Sequence, residues 1–254
     1  MAQRARRGIE MDVEGMNTAL RRLCDKYGVA VDGRLVADAE LAAGVRLEMV
    51  GGAVSLLPWR VERRFAELKK LIDGKTLEEV STLRFAVMRN GARLGHLLYR
   101  EFDLCEWMAG ASIRKTFAVV AGGKVANVIV TFANGMSASV ECSAALPEGA
   151  AEIDRHEIIA RRGVACDRVV DTQVPQASIY AFTADGTKTY TDTDAELFGF
   201  SDAEIWAVRA AFAVLKAPAL VAEWKKAGCD VKEKVMQTLA CAETCVPAVF
   251  SEEI

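Results

Sequence analysis

The chain has 254 residues, of which 52% are hydrophobic and 26% charged, and its formal net charge is −3 at pH 7. A chain of this length and hydrophobicity can bury a substantial core without disulfide bonds. The slight negative charge argues against a nucleic-acid partner and against a polybasic membrane contact, because both require a positive surface.

Membrane and targeting signals are not evident in the sequence. No apolar run approaches the roughly 20 residues that a membrane-spanning helix requires, and the N-terminus lacks the apolar segment of a signal peptide. We therefore expect a cytoplasmic protein with no membrane partner.

The seven cysteines are odd in number and scattered. This pattern predicts reduced, mostly buried thiols and not a disulfide framework. Cys241 and Cys245 lie four residues apart on a predicted helix, with Cys229 upstream, and could face a metal ion. Because no CxxC pair or histidine cluster accompanies them, small core residues are the favoured interpretation, and we expect no bound metal.

The N-terminal region begins with an amphipathic segment at 16–31. Leu20, Leu23 and Tyr27 share one face, and Gly28 is a typical helix stop. We expect a helix that runs into a short Val-Ala-Val strand at 29–31. Glycines divide residues 32–52 into short pieces, so that either a strand pair or a loop fits this part.

A second helix is predicted within 60–80, where Val61, Phe65, Leu68 and Ile72 recur at helical spacing before Asp73-Gly74. The spacing of apolar residues then changes to that of strands. The predicted strands are 81–90, 113–123, 124–135 and 136–146, the last three joined into a meander by Gly-Gly and Asn-Gly turns. One further helix is expected at 95–110, between the first of these strands and the meander.

Strands are also expected at 156–162 and 168–174, followed by a hairpin at 178–192 with Asp-Gly at its turn. The closing part is helical. Ser201 and Glu204 form a capping-box pattern before the helix at 201–217. Two more helices are predicted through 221–228 and 231–245. This order indicates an α+β fold in which a large, mostly antiparallel open sheet carries helices on one face.

Four candidate catalytic residues lie in the stretch GHLLYREFDLCEWMAG: His96, Arg100, Glu101 and Asp103. His96 could act as a base oriented by Glu101 or Asp103, or it could be a capping or surface group. The guanidinium of Arg100 could bind a carboxylate or phosphate, or it could form a surface salt bridge with Glu101 or with a carboxylate on a neighbouring strand.

Candidate ligand-binding residues lie further along the chain. Arg155 and His156 belong to the charged stretch DRHE at the start of a strand, where alternate residues face opposite sides. A ligand surface and a charged strand edge both fit this pattern. Asp171 and Gln173 lie in the polar segment VVDTQVPQ, which suits sugar hydroxyls and equally suits a turn.

Several stretches together resemble one protein family. FAELKKLIDGKTLEEVSTLRF, FDLCEWMAG, NVIVTFANGMSASVECS and TLACAETC occur in the order expected for the C-terminal domain of the glucose-fructose oxidoreductase and inositol dehydrogenase family (Gfo/Idh/MocA). The resemblance implies that residues 59–254 form this domain and that residues 1–58 are a remnant of the end of a nucleotide-binding domain. It also implies a homodimer formed through the open sheet; the alternative is a sheet covered by the chain's own C-terminal helices.

The family's functional motifs are altered in this chain. The family pattern is Asp, three residues, His, two residues and Asp-Leu; here Asp103-Leu104 fit its end, Arg100 takes the catalytic His place and His96 takes the preceding Asp place. Arginine stays charged and cannot serve as a base. The family's Glu-Lys-Pro would fall near residues 7–10, where neither Lys nor Pro occurs, and the GxGxxG turn that holds a dinucleotide is absent.

Three functional hypotheses follow. The first is an oxidoreductase-like protein without its own dinucleotide-binding half, which binds no cofactor alone, forms a dimer and can bind a sugar-like or carboxylated ligand. The second is the substrate-binding subunit of an NAD(P)-dependent sugar or polyol oxidoreductase whose Rossmann domain is on another chain. The third is a cofactor-free lyase or isomerase that uses His96.

Overall fold

The computed structural model describes residues 11–161, 163–167, 179–183, 186–190 and 194–250. The described residues form five α-helices: α1 (Val13–Tyr27), α2 (Arg63–Asp73), α3 (Leu94–Ala109), α4 (Asp202–Lys216) and α5 (Ala219–Glu243). They also form twelve strands: β1 (Gly33–Ala37), β2 (Val45–Met49), β3 (Gly52–Ser55), β4 (Val80–Met88), β5 (Ile113–Ala121), β6 (Val125–Phe132), β7 (Ser137–Ser143), β8 (Ile153–Ala160), β9 (Gly163–Cys166), β10 (Ile179–Thr183), β11 (Gly186–Tyr190) and β12 (Ala248–Val249).

The described residues group into two compact units. Those within 1–61 and 171–224 form the first unit, and those within 62–170 and 225–254 form the second. The domain division expected at residue 58 lies near the first of these boundaries. The assignment of residues 1–58 to the end of a nucleotide-binding domain stays a prediction.

The first unit is built around α1. Asp12 caps this helix by accepting a hydrogen bond from the backbone N–H of Gly15, and the helix ends as predicted at Gly28, which adopts a left-handed conformation. Its apolar face, including Leu20 and Leu23, is buried, and the helix packs against α4 and β1. The short strand expected at 29–31 is wrong, because the chain first becomes extended at Gly33.

Residues 32–52, for which the sequence allowed either a strand pair or a loop, contribute to a small sheet. Strands β1, β2 and β3 pair antiparallel in that order. The buried side chains of Leu35, Leu47 and Val54 lie at matched positions across the three strands, which fixes the register by burying one face. The predicted hairpin is also present, since β10 pairs antiparallel with β11.

The second unit contains a seven-stranded sheet in the order β12-β5-β6-β7-β4-β8-β9. Within it, β4 and β7 pair in parallel, and the other pairings are antiparallel. The predicted meander is confirmed as β5-β6-β7. With the helices, this arrangement confirms the α+β fold expected from the sequence.

The two faces of this sheet differ in exposure. Along β6, Val128, Val130 and Phe132 are buried, and α3 packs against β6, β7 and β4. On the opposite face, the side chains of Phe117, Val119 and Ile129 are 39%, 61% and 51% exposed. This alternation leaves an open sheet face that carries large apolar side chains.

The closing helices differ from the prediction. The two helices expected at 221–228 and 231–245 form the single helix α5. Gly228 does not break it, because the cost of an interior glycine is only about 1 kcal/mol and buried Val231, Val235 and Thr238 continue the helical spacing. The strand expected at 168–174 lies outside the described residues.

The cysteines are less buried than expected. Cys24, Cys105 and Cys142 are buried, whereas Cys166, Cys229 and Cys245 are exposed and Cys241 is intermediate. The prediction of mostly buried thiols is therefore wrong. Among the described residues, no three His, Cys, Asp or Glu side chains are arranged to hold a metal ion. No helix in the described part of the chain has the length and hydrophobicity needed to cross a membrane.

Candidate functional site

Helix α3 carries the four candidate catalytic residues. It starts after Arg93 and ends at Gly110 in a left-handed conformation. His96 lies in its first turn and is partly exposed, and its backbone N–H donates to the carbonyl oxygen of Arg93. Arg100, Glu101 and Asp103 are buried. Three of the four side chains of the predicted site are therefore buried in the interior of the second unit.

Glu101 is held by the chain's other histidine. Its Oε2 lies 2.9 Å from Nε2 of His156 on β8, and neither side chain is exposed. On the far side of the ring, Nδ1 of His156 lies 2.7 Å from Oδ2 of Asp167, just after β9. Asp167 Oδ1 also accepts a hydrogen bond from the backbone N–H of His156 at 2.8 Å. The imidazole is thus clamped between two carboxylates.

Arginines surround this clamp. Arg100 donates from Nη2 to Asp154 Oδ1 at 3.1 Å. Arg64 of α2 donates to Asp154 at 3.0 Å and to Asp167 at 2.9 Å, and Arg89 donates to Asp154 at 2.8 Å. The Arg100 salt bridge considered from the sequence is therefore present, but it is buried and not on the surface.

Two phenylalanines enclose the same groups. The rings of Phe65 and Phe85 meet the imidazole of His156 edge-on, with centroid distances of 4.6 and 4.8 Å. The guanidinium groups of Arg64 and Arg100 lie 4.3 and 5.3 Å from the centre of the Phe65 ring. Apolar walls of this kind keep water away and strengthen the charge interactions inside. We call the eight charged residues of this region the buried charge network: Glu62, Arg64, Arg89, Arg100, Glu101, Asp154, His156 and Asp167.

The network shifts the pKa values of its members toward their charged forms. Burial by itself lowers the pKa of His156, but the charge of Glu101 and the hydrogen bonds to Asp167 and Glu101 outweigh this and raise the pKa above 6.5. Burial likewise raises the pKa of Asp154, but Arg100 and Arg64 reverse the effect and hold it well below 3.8. Asp167 also has a lowered pKa, since the hydrogen bond and charge of His156 overcome the effect of burial.

Two atoms of the network have no hydrogen-bond partner among the described residues: Nε of Arg89 and Oε1 of Glu101. Oε1 of Glu101 lies 3.2 Å from Nη1 of Arg100, within ion-pair distance. Among the described residues, however, this oxygen has no hydrogen-bond partner. At this oxygen, the buried carboxylate of Glu101 is therefore stabilised by the nearby charge of Arg100 and not by a directed hydrogen bond.

This arrangement restricts the chemistry available to its residues. Arg100 does not release its proton. The ring nitrogens of His156 both face carboxylates, and the ring has no exposed surface. A general base must reach the proton that it abstracts from a substrate. In this conformation, neither residue offers a base to a substrate.

The predicted ligand-binding residues are separated. Strand β8 alternates as expected, so that Asp154 and His156 enter the network while Arg155 and Glu157 lie on the other face, with Arg155 Nε 3.8 Å from Glu157 Oε1. Asp171 and Gln173 lie outside the described residues. The sequence analysis missed Arg64, Arg89 and Asp167; the alternation along β8 was the one available signal that Asp154 and His156 share a face.

A surface cavity of about 460 Å³ lies near the start of α3. It is lined by Leu94 and Gly95 of α3, by Val120 and Gly123 near the β5–β6 turn, and by Leu239, Ala242 and Glu243 of α5. Its volume falls in the range of small-ligand sites. Gly95, which lines this cavity, directly precedes His96 in the sequence.

Comparison with known proteins identifies the fold. No family model matches the sequence, and no curated protein matches it. Solved structures do match: myo-inositol 2-dehydrogenase from Lactobacillus plantarum (10% identity, TM-score 0.54), scyllo-inositol dehydrogenase from Lactobacillus casei with bound NAD(H) and scyllo-inositol (13%, 0.51), and GenD2 from gentamicin A biosynthesis in complex with NAD (16%, 0.55).

The similarity covers most of this chain and a smaller share of each neighbour. It covers 77%, 76% and 77% of this chain, and 64%, 63% and 62% of the respective neighbours. This chain thus matches less than two thirds of the length of these dehydrogenases. The resemblance expected from the sequence motifs is confirmed at the level of the fold: the chain has the fold of part of a Gfo/Idh/MocA-type dehydrogenase.

Proposed function

We propose that this chain is an oxidoreductase-like scaffold that does not catalyse dehydrogenation by itself and that assembles as a homodimer through the open face of its seven-stranded sheet. The single observation that carries the proposal is the engagement of Arg100 and Glu101 in the buried charge network. By resemblance, these residues occupy or adjoin the catalytic histidine place. A group held in this way offers no base to a substrate hydroxyl.

The open sheet face supports the dimer. Phe117 and Ile129 lie directly opposite each other on β5 and β6, and both are exposed. Polar Ser139 continues the same row on β7. Contiguous exposed apolar side chains with a polar border are typical of protein interfaces.

A titration with NADH and NADPH tests the catalytic part of the proposal. The chain has four tryptophans, so that cofactor binding can be followed by their quenching and by energy transfer to the nicotinamide. We expect no saturable signal from the purified chain. Saturable binding, together with turnover of an inositol, would overturn the proposal.

A second candidate is the substrate-binding subunit of an NAD(P)-dependent sugar or polyol oxidoreductase that acts with a nucleotide-binding chain. The observation that favours it is the cavity of about 460 Å³ beside the start of α3, in a fold that solved dehydrogenases share. A sugar-like or carboxylated ligand would bind there and not at His156, because the ring nitrogens of His156 are occupied.

A nucleotide-binding partner distinguishes the two candidates, because the scaffold can also bind a sugar-like or carboxylated ligand. We expect scyllo-inositol or a sugar acid to raise the melting temperature of the chain, and Leu239→Arg, which places a long charged side chain in the lining of the cavity, to abolish the effect. Native co-purification with a nucleotide-binding protein would support the subunit. For the scaffold, no such partner is expected.

A further inference from the structure

The groups in contact with His156 favour its protonated form. Glu101 and Asp167 face the two ring nitrogens, and Asp154 Oδ1 lies 3.7 Å from Nδ1. Loss of the imidazolium proton would remove the positive charge between Glu101 and Asp167, in a region walled by Phe65 and Phe85, which is unfavourable.

The hydrogen bonds of the ring lead to the same requirement. A protonated imidazole donates from both nitrogens, whereas a neutral ring has one donor and one acceptor. Nε2 faces Glu101 and Nδ1 faces Asp167. Whichever nitrogen loses its proton, a carboxylate oxygen then faces a lone pair at a distance of 2.7 or 2.9 Å. One of the two carboxylates must move away.

Asp167 is the carboxylate with more freedom to move. Glu101 lies in the middle of the 16-residue helix α3. Asp167 follows β9, a strand of four residues that pairs with β8 at the end of the sheet. On β9, Val164 is 60% exposed. Besides its pairing with β8, this edge is held by the contacts of the buried Asp167 side chain with His156 and with Arg64.

We propose that the proton on His156 latches edge strand β9 to the sheet, and that its loss as pH rises releases residues 163–167 while the remaining strands of the sheet stay paired. On release, the carboxylate of Asp167 also leaves Arg64 and becomes hydrated. The latch operates whether or not the chain is catalytic.

The charged and titratable groups near the ring come from several elements. Each neighbouring element contributes at least one: Arg64 and Glu62 at α2, Arg89 after β4, Arg100, Glu101 and Cys105 on α3, Cys142 on β7, Asp154 on β8, and Asp167 after β9. The pKa of both thiols is raised by burial, so that they stay neutral. Because the pKa of His156 is raised above 6.5, the latch begins to weaken above that pH and is fully weakened above the raised pKa.

Hydrogen–deuterium exchange across a pH series tests the latch, with labelling times scaled for the intrinsic pH dependence of amide exchange. Between the ordinary and the raised pKa of His156, we expect the protection of peptides that cover 163–167 to fall about tenfold per pH unit, because opening then releases one proton. Peptides from β6 and β7 should keep their protection. A pH-independent protection of β9, or an equal loss in all strands, would overturn the proposal.

Asp167→Asn provides a matched variant, because it keeps an acceptor for the ring but removes the charge that requires the proton. We expect its β9 protection to lose the pH slope. Glu148→Gln, which removes an exposed charge before β8, should behave as the unmodified chain. A pH slope retained in Asp167→Asn would contradict the latch.

Nuclear magnetic resonance provides a test that needs no change in the network. The chain has two histidines, so that ring ¹⁵N spectra contain two spin systems, and His96→Gln identifies the signals of His156. We expect both nitrogens of His156 to remain protonated above pH 6.5, and their deprotonation to coincide with completion of the β9 exchange change. A neutral ring at pH 6.5 in the folded chain would refute the proposal.

Discussion

Glu101 and His156 are 55 positions apart in sequence, and their side chains meet at 2.9 Å in the interior of the second unit. Glu101 comes from α3 and His156 from β8, so that this contact joins the helix to the edge half of the sheet. Asp167 completes the clamp on the other side of the imidazole. The contact joins a residue that the sequence marked as a candidate for catalysis to one that it marked as a candidate for ligand binding.

The network makes Arg100 essential for stability. Replacement by Met removes the cation between buried Glu101 and partly buried Asp154. Of its charged contacts among the described residues, Glu101 then keeps only the one with His156. We expect the free energy of unfolding to fall by about 3–5 kcal/mol, measured by urea denaturation. Arg100→Lys should lose less, since it keeps the charge but not the planar fork.

An exposed arginine provides the control for this prediction. Arg63 lies on the first turn of α2 with its side chain exposed, and Arg63→Ala should change stability by no more than about 0.5 kcal/mol. If Arg100→Met is as mild as this control, the network is not the stabilising feature that its burial implies.

The network also predicts a bell-shaped dependence of stability on pH. The pKa of His156 is raised in the folded state, so that its stabilising effect is complete below 6.5 and is lost as pH rises through the raised value. The pKa values of Asp154 and Asp167 are lowered, so that their effect is complete above 3.8 and is lost as pH falls through the lowered values. The contribution of these groups is therefore greatest between pH 3.8 and 6.5.

Urea midpoints measured from about pH 3 to about pH 10 check this dependence. We expect the alkaline decline to be smaller in Asp167→Asn than in the unmodified chain, because the raised pKa of His156 depends partly on Asp167. A midpoint that rises steadily from neutral to alkaline pH would contradict the direction of the histidine shift.

Much of the fold could be predicted from local sequence patterns. The alternation in NVIVTF and SASVEC, the Gly-Gly and Asn-Gly turns, and the Ser201–Glu204 capping box are short-range signals, and each corresponds to an observed element. Local signals were insufficient where tertiary packing determines the secondary structure. Gly228 suggested a break that tertiary contacts along α5 override, and the three-stranded sheet of residues 33–55 requires pairings that no single segment encodes.

The candidate site was only partly predictable, for a related reason. The sequence indicated a concentration of charge at 96–103 and at 154–157, and the strand alternation separated Asp154 and His156 from Arg155. Arg64 and Asp167 are far apart in the chain. No local signal in the sequence showed that Arg64 contacts Asp154 and that Asp167 contacts His156. The register of β8 against β4 creates that meeting, and register is a long-range property.

Homodimer formation through the open sheet is tested by placing a charge at its centre. In a two-fold symmetric interface, Ile129→Glu introduces two like charges and buries them without partners. We expect light scattering to show a dimer for the unmodified chain and a monomer for the variant, with dimer affinity reduced at least about 100-fold. Val50→Glu is the control, because Val50 is 100% exposed in the turn between β2 and β3 and should leave the dimer intact. A monomeric unmodified chain, or a variant that stays dimeric, would exclude this interface.

The capping box of α4 gives a prediction for the first unit. Ser201 Oγ accepts a hydrogen bond from the backbone N–H of Glu204, and Glu204 Oε2 accepts from the backbone N–H of Ser201 at 2.8 Å. Glu204 Oε1 also accepts from the backbone N–H of Asp12 at 2.8 Å. Ser201→Ala removes the side-chain cap and should lower the free energy of unfolding by about 1 kcal/mol. Ser201→Thr keeps the hydroxyl, which also donates to Glu204 Oε2 at 2.7 Å, and should remain close to the unmodified chain. Glu204→Ala should cost more than Ser201→Ala, because it leaves the N–H groups of both Ser201 and Asp12 without this acceptor. Equal losses for Ser201→Ala and Ser201→Thr in urea denaturation would show that the cap hydrogen bonds do not account for the effect.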